Sequence, residues 1–179
     1  NTIWGSGVIV DERGYLLTNL HVVSRTGVLI VLVPEIGDLP ASFIAGDREA
    51  DLALLRLNAP GSFAAMRWGE SRQLQLGQPV AALGTPLGNL PGSVTTGVVS
   101  GLNRTVALDD DVQVTGLIQT DAAINYGNSG GALLNASGEL VGIVSLMLRD
   151  GGVNWSGDVQ GIGFAIPAAA VRPLVDEWI

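Results

Sequence analysis

The sequence predicts an all-β chain of two sheets or barrels with one C-terminal helix. Three observations carry that prediction. Apolar runs of strand length recur with Gly, Pro, Asn and Asp turns roughly every eight to twelve residues. The pattern loosens from Asn58 to Gln78, which includes Pro60, Gly61, Gly69 and Gly77, so the chain divides there into residues 1–75 and 76–179. Helical spacing marks the end of the chain, where Val171, Leu174, Val175 and Trp178 follow Pro167. No repeat at solenoid or propeller periods is evident.

In order, Gly5–Val10 reads as a short buried strand, Asp11–Gly14 as a turn and Tyr15–Asn19 as its hairpin partner. His21-Val22-Val23 follows at the strand end or in a single helical turn. Val28–Val33 is an apolar, β-branched run that Pro34–Asp38 breaks. Ala41–Ala45 is a weaker strand. Asp51–Leu57 is a stronger one, although its leucines also suit a helix. In the second half, Pro79–Gly84, Val94–Ser100 and Val112–Thr120 read as strands, with Thr85–Gly88 a turn and Asn103–Asp111 a loop. Glu139–Leu148 is the most apolar strand, Arg149–Gln160 a glycine-rich loop, Gly161–Ile166 the last strand and Pro167–Trp178 the helix.

Composition removes whole classes of function. The net charge is −8, and the nine basic residues, all arginines, are scattered, so no footprint for nucleic acid or an anionic membrane exists. Asp109-Asp110-Asp111 is the only charge run and reads as a solvated loop tip, its spacing matching no EF-hand. No uninterrupted apolar run reaches the roughly 18 residues of a membrane helix, and Asn1-Thr2-Ile3-Trp4 has none of the marks of a signal peptide. Without cysteine there is no disulfide, thiolate nucleophile or Cys-ligated zinc. Without lysine there is no Ser-Lys dyad, Schiff base or P-loop. A single histidine, His21, rules out a multi-histidine metal site. Any imidazole base has to be His21.

The chemistry concentrates at Asn125-Tyr126-Gly127-Asn128-Ser129-Gly130-Gly131-Ala132-Leu133. Glycines around a serine let the backbone adopt positive φ and bring N–H donors close to a ligand. A hydroxyl flanked by such donors supplies a nucleophile and a hole for the oxyanion it creates. A serine nucleophile also needs a base, and the base a carboxylate to hold its tautomer. His21, Asp51 and Ser129 offer one of each, with Asp47 a rival carboxylate. The two halves would assemble them across a cleft. The order His, Asp, Ser is that of two-barrel proteases; an α/β-hydrolase esterase has another order and needs βαβ alternation.

Six segments then resemble, in order and through nearly the whole chain, the protease domain of the HtrA (DegP/DegS-like) serine endopeptidases. They are Gly5-Ser6-Gly7-Val8-Ile9-Val10, Leu17-Thr18-Asn19-Leu20-His21-Val22-Val23, Asp51-Leu52-Ala53-Leu54-Leu55, Gln119-Thr120-Asp121-Ala122-Ala123-Ile124-Asn125, Gly127-Asn128-Ser129-Gly130-Gly131-Ala132-Leu133 and Gly161-Ile162-Gly163-Phe164-Ala165-Ile166-Pro167. The resemblance implies two six-stranded antiparallel barrels of the trypsin type with a C-terminal helix. It makes His21 the general base, Asp51 its orienting partner and Ser129 the nucleophile. Gly127 and Ser129 would supply the oxyanion N–H groups, with Asn128 between them.

The same resemblance implies an apolar specificity pocket of Ala123, Ile124, Met147, Leu148 and Ile162, with Ala123 where trypsin-like enzymes set primary specificity. Such a pocket favours small-to-medium aliphatic side chains, and broadly, since a methylene changes discrimination by only about 1–3 kcal/mol. Ser145 is expected beside Asp51, Arg104 where the family has an arginine that relays activation, and the 149–160 loop over the pocket. Also implied are unfolded or misfolded polypeptides as substrates, a homotrimer in the full-length protein, an extracytoplasmic or periplasmic location, and no cofactor, metal or nucleic-acid partner. The competing expectation is a binding or scaffold module on the same fold, resting with its oxyanion hole collapsed.

Overall fold

The computed structural model describes residues 3–24, 27–85, 92–107, 113–145 and 161–179. They form strands β1 (Val8–Asp11), β2 (Tyr15–Asn19), β3 (Leu29–Val33), β4 (Gly37–Asp47), β5 (Leu52–Leu57), β6 (Pro79–Gly84), β7 (Ser93–Ala107), β8 (Gln113–Thr120), β9 (Ala132–Asn135), β10 (Leu140–Ser145) and β11 (Gly163–Pro167). A one-turn helix α1 (Leu20–Val23) follows β2, and helix α2 (Ala168–Trp178) ends the chain. The expected fold class holds: mostly antiparallel strands and a terminal helix.

The second half closes into a six-stranded barrel in the order β10-β11-β8-β7-β6-β9. Its closing strand, β9, has no counterpart among the expected elements, because it is short and follows directly on the glycines of the serine loop. The first half is a five-stranded sheet in the order β1-β2-β5-β4-β3 where the resemblance implied six strands and a barrel. The run of apolar segments before Asn58 supplies only these five strands, and the first of them is shortened at Gly5-Ser6-Gly7. The expected strand there begins only at Val8, since the Ser6 backbone bonds the serine loop and Thr18 instead of a neighbouring strand.

Two other differences follow from exposure. β4 runs through Gly37–Asp47, well beyond Ala41–Ala45, pairing first with β3 and then with β5; its exposed residues blur the apolar pattern. β7 continues through Asn103, Arg104 and Thr105, expected in a loop. All three are exposed, and the register slips between Gly101 and Arg104, so the outward bulged strand has no alternation to read. Asp109-Asp110-Asp111 lies outside the described residues.

The β1–β2 turn is held by Gly14 at φ 87° and by Arg13, whose Nε and Nη2 donate to Asp11 at 2.9 and 3.0 Å. These bonds keep the Asp11 carboxyl below its ordinary range. β5 sits centrally, its Leu52, Ala53, Leu54 and Leu55 all buried, so packing on both faces decides for strand where propensity left helix open.

One core cluster joins both halves: Val8, Leu17 and Leu54 pack with Leu117, Leu140 and Ile143, and α2 adds Val171 and Val175. The 58–78 connection is stitched to both sides, Met66 N–H donating to Ile9 C=O at 2.8 Å and Gly69 N–H to Leu140 C=O at 2.8 Å. This shared core fixes the first half against the serine loop. Leu54→Ala, at a fully buried position, should therefore lower stability by about 2–5 kcal/mol, read as a fall in urea midpoint at constant m.

Candidate active site

His21 is presented by a change of backbone state within one residue. Asn19 ends β2 with φ −79° and ψ 146°, and α1 starts at Leu20. Asn19 does not cap that helix with its side chain. Its Nδ2 donates to the Asp51 carbonyl at 2.9 Å, and Leu20 N–H donates to the same oxygen at 3.1 Å. Two donors on one carbonyl hold Asp51 at φ 51°, a left-handed conformation that Asp and Asn tolerate better than other side chains.

So held, the Asp51 carboxylate faces His21. Oδ1 accepts the His21 backbone N–H at 3.0 Å, Oδ2 lies 2.7 Å from His21 Nδ1, and Ser145 Oγ donates to Oδ2 at 3.3 Å. Side-chain exposure is 4% for Asp51 and 28% for His21, so the carboxylate is shielded while the imidazole keeps an open edge. An ionised carboxylate only accepts, which puts the proton on Nδ1 and leaves the Nε2 lone pair to take one. Asp47, the rival, instead accepts Ala50 N–H at 2.8 Å and fastens the turn before Asp51.

The serine loop is built on glycine. Gly127 has φ 97° and Gly130 φ 85°. A Cβ at Gly130 would run into the Ser6 carbonyl oxygen and Thr18 Oγ1, and one at Gly131 into the Leu83 carbonyl. Asn128 N–H donates to Asn125 C=O at 3.0 Å, Gly131 N–H to Asn128 C=O at 2.9 Å, and Gly130 N–H to Val144 C=O at 2.9 Å. Ser129 itself is buried. The loop is thus pinned to β10, whose last residue is the Ser145 that bonds Asp51.

Ser6 is a residue that the functional reading of the sequence missed. Its N–H donates to Ser129 C=O at 2.8 Å, and its hydroxyl donates to Gly127 C=O at 2.6 Å. The Ser6 hydroxyl also accepts Thr85 N–H at 2.8 Å, and Ser6 C=O accepts Thr18 Oγ1 at 2.7 Å. The only signal was a serine between two glycines ahead of a strand, a pattern shared with ordinary turns.

The expected pocket residues meet varied fates. Ala123 is exposed, its carbonyl accepting Thr95 Oγ1 at 2.9 Å and Asn128 Nδ2 at 3.4 Å. Ile124 is buried in the barrel core, packed so closely on Gly163 that a side chain there would collide with it. Ile162 is half-buried, and Met147, Leu148 and the 149–160 loop lie outside the described residues. Arg104 stands on β7, its Nε donating to Gln119 Oε1 on β8 at 2.9 Å.

Comparison with known proteins gives a consistent result. The family model described as a trypsin-like peptidase domain matches residues 5–143. The chain is 41% identical over 181 residues to the serine protease Do-like HtrA of Bacillus subtilis, covering 98% of this chain and 39% of that protein. It is 40% identical over 176 residues to the periplasmic serine endoprotease DegP of Escherichia coli K12, covering 98% and 35%. With a probable periplasmic serine endoprotease, DegP-like, of Rickettsia conorii it shares 36% identity over 173 residues, covering 97% and 33%. The chain therefore spans 33–39% of the length of these three relatives.

Proposed function

The chain belongs to the trypsin-like peptidase family, as a serine protease domain of the HtrA type, and from that premise we propose that it is an endopeptidase working through His21, Asp51 and Ser129. The observation that carries this reading is the carboxylate of Asp51, which fixes both the backbone and the ring of the only histidine, from an edge shared with the serine loop. Ser129 Oγ attacks the scissile carbonyl while His21 Nε2 takes its proton. The oxyanion is held by the N–H groups of Gly127 and Ser129, with Asn128 setting the turn between them. Collapse of the tetrahedral adduct expels the amine, which receives the proton from His21 and leaves an acyl-Ser129. Water, deprotonated by His21, then releases the acid.

For the side chain before the cleaved bond we carry over the pocket of Ala123, Ile124 and Ile162 and, from outside the described residues, Met147 and Leu148. Lacking a carboxylate at Ala123, it takes small-to-medium aliphatic groups such as Val or Ala. Unfolded or exposed polypeptides are the substrates, and Arg104 serves regulation. The names of the DegP relatives support an extracytoplasmic site of action and, for the full-length protein, we carry over the homotrimer. No helix among the described residues is long and apolar enough to cross a membrane.

A fluorophosphonate probe tests the assignment. It should label the chain at Ser129, found by peptide mapping, and fail on the His21→Ala variant. Absence of label on the unaltered chain across neutral conditions would replace this reading with the resting scaffold.

A further inference from the structure

We propose that Ser6 is a positioning residue for the serine loop, its hydroxyl holding the Gly127–Asn128 peptide in one of the two orientations open to it. The proposal rests on the reading of Ser129 as nucleophile and of Gly127 and Ser129 as oxyanion donors. Gly127 at φ 97° has no Cβ to resist rotation of the peptide that follows it, and Asn is among the side chains that best tolerate the left-handed φ a turned peptide requires, so sterics choose the orientation only weakly. Hydrogen bonds fix it. The Gly127 carbonyl accepts Ser6 Oγ–H at 2.6 Å, and at the other end of the same peptide Asn128 N–H donates to Asn125 C=O at 3.0 Å.

The two peptides that follow are held by other donors. Asn128 C=O accepts Gly131 N–H at 2.9 Å, and Ser129 C=O accepts the Ser6 backbone N–H at 2.8 Å. Removing Oγ therefore frees one end of one peptide, next to a glycine that tolerates either orientation. A crankshaft turn there changes ψ of Gly127 and φ of Asn128 together, turns away the Gly127 C=O and Asn128 N–H, and so releases the one anchored peptide that lies between the donors of Gly127 and Ser129. Ser6 reaches this position from the first half of the chain, and through Thr85 N–H, at 2.8 Å, it also ties in the end of β6. The hydroxyl thus couples the start of the chain to the geometry of a loop 121 residues later.

Ser6→Ala and Ser6→Thr decide the matter. For a peptide substrate with Val before the cleaved bond, Ser6→Ala should lower kcat about tenfold, the scale of one lost hydrogen bond, with KM within about twofold. Labelling by the fluorophosphonate should slow by a similar factor, and Ser6→Thr should recover most of both. Hydrogen exchange at the Asn128 amide should quicken about tenfold in Ser6→Ala, while exchange at the Gly130 amide, bonded to Val144, stays unchanged. Unchanged kcat and unchanged Asn128 exchange would overturn the proposal. So would a loss that Ser6→Thr fails to recover, or equal quickening at both amides, which would mark a merely structural role. A wild-type chain that neither cleaves nor labels would refute the reading of Ser129, and the Asn128 exchange would still decide whether Ser6 holds the peptide.

Discussion

Ser129→Ala should reduce cleavage of an unfolded protein such as casein by at least about 10⁴-fold, with unfolding free energy within about 1 kcal/mol of the unaltered chain. The asymmetry follows from what the side chain and the backbone of this residue each do. The backbone is structural: Ser129 C=O accepts Ser6 N–H, and the flanking peptides bond Asn125, Gly131 and Val144. These bonds all use backbone atoms, so they continue to hold the loop when the hydroxyl is removed. Chemistry loses its nucleophile altogether, and what remains is the modest acceleration from oriented donors and binding. Casein digestion followed by gel, alongside a urea melt, separates the two effects. Retained cleavage would refute Ser129 as nucleophile, and a large loss of stability would refute the division of labour between hydroxyl and backbone.

Residue types that have only one use are what made the centre legible from sequence. A single histidine and no lysine or cysteine left one candidate base, and the carboxylate that meets His21 is the one in the Asp51–Leu55 motif. The strands that position these groups were legible because their apolar residues face a core shared by both halves, as Leu17, Leu54 and Ile143 do. Legibility failed where hydrogen bonding rather than burial decides the backbone. Gly5-Ser6-Gly7 reads as strand by composition, yet the polar groups of Ser6 bond a loop far along the chain. Asn103–Thr105 reads as loop because an exposed, bulged strand needs no apolar alternation. Ser145 could be placed near Asp51 only by resemblance. Its hydroxyl is a donor to the carboxylate, and a long-range polar contact of this kind leaves no periodic trace in sequence.

Asp51→Asn should lower kcat by about 10⁴-fold with KM little changed, and it should leave the fold intact. Among the described residues the partners of the carboxylate are all donors: His21 N–H on Oδ1, His21 Nδ1 and Ser145 Oγ on Oδ2. An amide offers one acceptor and one donor group. If its oxygen keeps the His21 N–H, its NH₂ faces Nδ1, and the ring must become the tautomer with its proton on Nε2, where the base needs a lone pair. If the amide turns over, the NH₂ opposes a backbone N–H that has nowhere to move, since Asp51 C=O is fixed by Asn19 Nδ2 and Leu20 N–H. The first arrangement satisfies more bonds and is therefore the one expected. Asn also accepts the φ of 51° at little cost, so conformational strain does not enter the comparison. The tautomer can be read directly, as exchange of the ¹⁵N shifts between the two ring nitrogens of His21. A loss of activity with Nδ1 still protonated would overturn the argument, and would mean that Asp51 acts on the transition state by its charge alone.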